Sequence, residues 1–242
     1  FSAFQYDMVS VGKRQVGSTI KPFLYTLAME EGMSPCTRVP NVQPTFVLGD
    51  GTEWAPRNDS KNKIGEMVTL RWALSQSNNW ISAYLIREYS PQSLVKLMHS
   101  FGIKSKLDPV VSLCLGPVEV SVSEMVDAYT TFVNKGIRIE PLYVTRIEDN
   151  AGNVLATFTP QMYEIISEET SYKMLHMLQA VINEGTGVRL RYRYKFQGDI
   201  GGKTGTTQNN SDGWFIGVTP ELVSGAWVGG EDRSIHFDRM SV

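Results

Sequence analysis

The closing fifth of the chain constrains its fold most. Three strand-like runs, Ile200 to Thr207, Trp214 to Val218 and Val223 to Val228, follow one another with turn-forming residues between them, the pattern of consecutive antiparallel strands. The middle of the chain reads differently. Phe23, Leu24, Leu27 and Ala28 recur at helical spacing after Ser18-Thr19-Ile20-Lys21-Pro22, and Gly32 is a plausible stop. Helical patterns also follow Thr69, Trp80, Ser90-Pro91 and Ser123. A longer one spans Thr170 to Asn183, with Met174, Leu175, Leu178 and Val181 on one side. Leu142 to Glu148 and Val154 to Phe158 flank Asn150-Ala151-Gly152-Asn153 as a hairpin, whereas Ser34 to Gly65 reads as loop. Helices dominate the middle and antiparallel strands close the chain, so the predicted class is α+β.

A length of 242 residues suits one large domain or two small ones. A net charge of -2 gives no global basic excess of the kind nucleic acid or an anionic membrane face would call for. Cys36 and Cys114 are too few for a disulfide framework, and whether they pair is open. His99, His176 and His236 are scattered and share no metal-ligand spacing. No apolar run is long enough to cross a bilayer and no secretory signal is visible; because the chain opens on Phe1, any such segment is expected upstream.

Four Ser-x-x-Lys pairs occur, and context separates them. Ser10/Lys13 contains Gly12 and has no helical pattern, Ser60/Lys63 lies in a polar loop, and Ser93/Lys96 sits inside an amphipathic helix as ordinary surface. Ser18/Lys21 alone follows a Gly at a helix start, where free N–H groups and the helix dipole favour developing negative charge. Residues three apart share a helix face, so Lys21 reaches the Ser18 hydroxyl, and a desolvated lysine acts as a base. Lys203-Thr204-Gly205 is the only Lys-[Ser/Thr]-Gly in the chain. Lys203 offers charge for a carboxylate, the Thr hydroxyls offer hydrogen bonds, and Gly205 admits a close neighbour. The bland reading is a Gly-rich edge strand with a solvated lysine. Ser77-Asn78-Asn79 interrupts two helical stretches and reads either as a turn or as polar groups aimed into a cleft. Ser60-Lys61-Asn62 has the same form without flanking helices.

In combination these three motifs, in this order and in helix, loop and strand settings, form the set that class A β-lactamases and penicillin-binding proteins share. The wording around them resembles the transpeptidase domain of bifunctional (class A) penicillin-binding proteins. The resembling stretches are Arg14 to Phe23, Thr69 to Asn79, Lys203 to Thr207 and Asp212 to Gly217. The resemblance implies one domain over residues 1–242, with a penicillin-binding/β-lactamase-like fold: an antiparallel sheet packed with helices plus an all-helical subdomain. It also implies an acyl-enzyme on Ser18, with Lys21 as base, Ser77 relaying a proton to the leaving amine, and Asn79 orienting donor or Lys21. Lys203, Thr204 and Thr206 would hold the terminal carboxylate beside Gly205, and the N–H groups of Ser18 and Thr206 would form the oxyanion hole. The implied reaction is D,D-transpeptidation of peptidoglycan stem peptides, blocked by β-lactams, with no metal or organic cofactor and no nucleic acid.

In that family two strands precede the nucleophile. Only 17 residues precede Ser18 here, so those strands and a closing helix are expected to be missing and the sheet to be incomplete. The resemblance also implies a membrane anchor and a glycosyltransferase domain in the full-length protein, at the extracytoplasmic face of a bacterial envelope. A β-lactamase is disfavoured because no Glu-x-x-Leu-Asn lies between Asn79 and Lys203. A D,D-carboxypeptidase, a non-enzymatic β-lactam sensor and an inactive scaffold share the motifs. Asp212-Gly213-Trp214-Phe215 favours transpeptidation by resemblance.

Overall fold

The structure, a computed structural model, describes residues 6–238; the expectation of a domain over 1–242 extends at both ends outside them. Its helices are α1 (Lys21–Glu30), α2 (Leu70–Ser75), α3 (Asn79–Tyr89), α4 (Pro91–Ser100), α5 (Val122–Val133), α6 (Glu168–Glu184) and the short α7 (Arg189–Tyr192). The strands are β1 (Lys13–Gln15), β2 (Arg38–Pro40), β3 (Phe46–Val47), β4 (Glu53–Trp54), β5 (Met67–Thr69), β6 (Glu119–Ser121) and β7 (Ile137–Ile139). They continue as β8 (Arg146–Glu148), β9 (Val154–Thr157), β10 (Met162–Glu164), β11 (Gly201–Thr206), β12 (Asp212–Val218) and β13 (Val223–Gly229).

β11, β12 and β13 form an antiparallel three-stranded sheet in that order. The other strands form five two-stranded pairs, also antiparallel. The class is α+β, as the change of periodicity along the sequence predicts. The hairpin expected across Asn150 to Asn153 is the β8–β9 pair. The segment expected as loop, Ser34 to Gly65, holds β2, β3 and β4. These are two or three residues long, too short to show an alternating pattern.

α1 is buried on nearly every side: Lys21 through Thr26, Ala28 and Met29 are all inside. A helix with so little polar face is a central one, and it packs against α3, α4 and α6. Phe23, Phe101, Tyr129 and Phe132 stack around it, with ring centroids 5.2–5.9 Å apart. α6 runs two residues earlier and one later than its periodicity predicts, because Ser167 caps it by accepting the Thr170 N–H. It lays Leu178 against Gly201 of β11 and so joins sheet to helices. α5 starts one residue before the expected Ser123, because Ser121 and Glu124 form a reciprocal capping box.

Candidate active site

The turn carrying Ser18 is shaped by the proline after it. An α-helix opening at Ser18 would need an N–H on Pro22 to bond the Ser18 carbonyl, and proline has none. The chain instead forms a 3-10 turn over Gly17–Ile20, in which the Lys21 N–H bonds the Ser18 carbonyl, and α1 begins at Lys21. This corrects the expectation of a helix starting at Ser18. Gly17, Thr19 and Ile20 are buried while Ser18 is half-exposed, so the turn shows one side chain. Among the described residues the Ser18 hydroxyl has no hydrogen-bond partner; Lys21, expected from helical spacing to reach it, bonds Ser77 and Asn79 instead.

Close approaches fix the turn. Gly116, at φ +74°, donates no side chain where a Cβ would lie 2.0 Å from the Gly17 carbonyl oxygen, and the Gly17 N–H bonds the Gly116 carbonyl at 3.0 Å. A Cβ on Gly205 would lie 2.8 Å from the Val16 carbonyl oxygen. Gly205 therefore lets β11 press against the turn that carries Ser18. The Tyr129 hydroxyl donates to the Thr19 carbonyl at 2.6 Å, tying α5 to the same turn.

Ser77 follows the end of α2. The Ser77 N–H bonds the Leu74 carbonyl at 3.0 Å, and the Asn78 N–H bonds the Ala73 carbonyl at 2.9 Å. This is the Schellman arrangement, whose left-handed position usually belongs to glycine. Here Ser77 occupies it at φ +53°, a conformation that costs a non-glycine residue about 1 kcal/mol or more. Asn78 then caps α3 by accepting the Ile81 N–H. The strained position turns both oxygens of Ser77 toward Lys21.

Lys21 Nζ lies 2.5 Å from the Ser77 carbonyl oxygen, 2.6 Å from Asn79 Oδ1 and 3.2 Å from Ser77 Oγ. Lys203 Nζ lies 3.0 Å from that same Ser77 Oγ and 3.0 Å from the Thr204 carbonyl oxygen. Both lysines are fully buried. Burial pushes the Lys21 ammonium down to about 7, against the opposing pull of the Asp59 carboxylate. Burial, and then the charge of Lys21, hold Lys203 well below the usual lysine range. Cys114, next to this group, is pushed up to about 12 by burial and stays a thiol at neutral pH. Cys36 is exposed and Cys114 buried, both as free thiols.

Above the lysines lies a cleft of about 320 Å³. Of the residues in the motifs, Ser18, Ser77, Asn78, Thr204 and Thr206 line it, as do Ser60 and Asn62 of the second Ser-x-Asn. Lys21, Lys203 and Asn79 are bonded to Ser77 or to one another at its floor. Gly205 faces the Ser18 turn and not the cleft. Asn58, Asp59, Trp72, Gln76 and Thr186 also line the cleft without having been signalled. Asn58 accepts the Asn79 N–H at 2.7 Å, and the Thr186 and Thr204 hydroxyls lie 2.6 Å apart. The polar loop that holds Ser60 and Lys63 forms one wall, so Ser60 reaches the cleft too, without a buried lysine beside it.

Residues 9–225 match the family described as the penicillin binding protein transpeptidase domain. The chain belongs to that family. Penicillin-binding protein 1A of Aquifex aeolicus is 33% identical over 226 residues, covering 93% of this chain and 30% of that protein. Penicillin-binding protein 1A of Neisseria gonorrhoeae is 33% identical over 240 residues, covering 95% of this chain and 29% of that protein. The chain thus spans about 30% of the length of the curated relatives it matches. The crystal structure of penicillin-binding protein 1A from Haemophilus influenzae superposes with a TM-score of 0.87 at 26% identity, covering 96% of this chain and 40% of that one. The resemblance to class A transpeptidase domains is therefore borne out in both family and fold. No helix among the described residues is long and apolar enough to cross a membrane.

Proposed function

We propose that the chain is the D,D-transpeptidase unit of a peptidoglycan-building enzyme, with Ser18 as the nucleophile. The observation that carries the reading is the hydrogen-bonded chain Lys203–Ser77–Lys21 beneath a cleft into which the free Ser18 hydroxyl projects. A neutral Lys21 has two N–H donors and one lone pair. The donors are taken by the Ser77 carbonyl and Asn79 Oδ1, the two nearest acceptors, which leaves the lone pair to take a hydroxyl proton; the third N–H so gained is the one that bonds Ser77 Oγ.

In the first half-reaction Ser18 Oγ attacks the carbonyl of the penultimate D-Ala of a stem peptide, and Lys21 receives its proton. The tetrahedral oxyanion is held by the N–H groups of Ser18 and Thr206. Each such donor is typically worth about 10²–10³ in rate. The packing of Gly17 against the Thr206 peptide, where a Cβ would lie 2.9 Å from the Thr206 oxygen, supports that pairing. The C–N bond then breaks, and the leaving amine takes a proton through Ser77, whose hydroxyl touches both lysines. A donor carboxylate at the β11 end of the cleft restores charge to Lys203, since an opposite charge favours the ammonium form. Thr204 and Thr206 add hydroxyl donors there.

In the second half-reaction an amine from another stem peptide attacks the ester carbonyl. A C–N bond forms, the bond to Ser18 Oγ breaks, and the amine proton returns to Ser18 through Lys21. Asp59 favours an amine over water as acceptor. It is the one acidic residue that lines the cleft, and it makes no ion pair among the described residues. β-Lactams, which mimic D-Ala-D-Ala, would stop at the acyl-enzyme. In the full-length protein this unit would work on the extracytoplasmic side of a bacterial membrane, beside an anchor and a glycosyltransferase domain.

The reading is tested by incubating the protein with a stem pentapeptide ending in D-Ala-D-Ala and an acceptor peptide bearing a free amine, with products followed by mass. Release of D-alanine with formation of the amide-linked product is expected. Release of D-alanine with only the free tetrapeptide acid would make it a D,D-carboxypeptidase, and no release would overturn the enzymatic reading.

A further inference from the structure

Thr186 belongs to none of the three motifs, yet it sits at the functional cleft. Its position is set from both sides. Its N–H bonds the Ser75 carbonyl at the end of α2 at 3.0 Å, and the N–H of Gly187 bonds the Val181 carbonyl of α6 at 2.9 Å. Gly185 makes the approach possible, because a Cβ there would lie 2.2 Å from the Ser75 carbonyl oxygen. From this wedge between two helices Thr186 directs its hydroxyl to that of Thr204, 2.6 Å away, at the short end of the O–H···O range. Thr204 is the only hydrogen-bond partner of the Thr186 hydroxyl among the described residues.

We infer that Thr186 is a positioning residue that holds the Thr204 hydroxyl in the orientation that presents its proton to a substrate carboxylate. The inference rests on the proposed transpeptidase reading and names a residue that reading does not use. Each hydroxyl has one proton to donate and two lone pairs to accept with. Only one proton lies between two hydroxyls in contact. A carboxylate accepts and never donates, so Thr204 must spend its proton on the substrate. It is then free to accept from Thr186, and each bond polarises the next. The reverse direction would turn the lone pairs of Thr204 toward the carboxylate. With its carbonyl taken by Lys203 Nζ, Thr204 is thus held by Lys203 through the backbone and by Thr186 through the side chain.

The test compares acylation by benzylpenicillin with acylation by its methyl ester, which has the same reactive ring and no carboxylate. Thr186→Val keeps the shape and removes the hydroxyl, and Thr186→Ser keeps the hydroxyl. Thr186→Val is expected to lower the second-order acylation constant for the acid about tenfold, in the range of one hydrogen bond to a charged group. The constant for the ester should stay within about twofold of the unaltered protein, and Thr186→Ser should restore the preference for the acid. Equal loss for acid and ester would mean a merely structural role and would overturn the inference, as would no change for either. Failure of the unaltered protein to acylate with both compounds would instead overturn the function on which the inference rests.

Discussion

Lys21 and Ser77 are the residues whose chemistry is most altered by their surroundings. A lysine in water is a cation with no lone pair to offer. Full burial brings Lys21 down to about 7, so its base form appears as pH rises through that value. Below it the ammonium cannot accept the Ser18 proton; above it the base is fully present. The rate of acylation by a chromogenic β-lactam should therefore climb about tenfold per pH unit on the acid side and level off above an inflection near 7. A rate independent of pH from about 5 to 9 would exclude Lys21 as the base. Ser18, Lys21, Ser77, Asn79 and Lys203, which the fold brings together at the cleft, could be singled out in the sequence because each lies in a short motif. Thr186 was not. Gly185-Thr186-Gly187 reads locally as a turn, and its hydroxyl gains meaning only from Thr204, 18 positions away. The left-handed backbone of Ser77 was equally hidden, because Ser carries no sign of it.

At the scale of elements, the site depends on three close backbone approaches around the 3-10 turn of Gly17–Ile20. The tightest is Gly116, which ends a short 3-10 helix, Val111–Leu115, in the left-handed conformation. Gly116→Ala is strained by its φ of +74° and sets a methyl against the Gly17 carbonyl. The Ser18 turn must then shift. A displacement of about 1 Å can cost a reaction 10²-fold, so the β-lactam acylation rate of this variant should drop by about that factor. The retained far-ultraviolet circular dichroism would separate displacement from unfolding. Unchanged acylation would mean that the turn does not depend on Gly116. The long helices and the closing sheet were readable because their apolar periods run over many residues. The β1–β6, β2–β5, β3–β4 and β7–β10 pairs were not, since two or three residues hold no period. The start of α5 could have been read correctly, because Ser121 and Glu124 have the spacing of a capping box.

The whole molecule is held together by contacts between residues distant in sequence. Arg14 of β1 pairs with the buried Asp212 of β12 at 2.7 Å, and Asp212 also accepts from Thr207 at 2.8 Å and from the Trp227 indole at 3.0 Å. The indole of Trp214 donates to the Gln15 carbonyl at 2.8 Å. The strand that leads into Ser18 is thus fastened to the sheet that carries Lys203. A buried carboxylate with this many partners is expensive to leave unpaired. Arg14 and Asp212 both fall in stretches that resemble the family, but nothing in their own sequence surroundings announces the pair. The assembly brings Ser18 and Ser77 to one cleft, with the buried Lys203 bonded to Ser77, and one measurement asks whether it does so productively. The protein is incubated with benzylpenicillin, its intact mass is recorded, and the adduct is mapped by peptide digestion beside a Ser18→Ala variant. A single stable adduct on Ser18, absent from the variant, is the predicted result. An adduct that persists in Ser18→Ala, or no adduct on a folded protein, would contradict it.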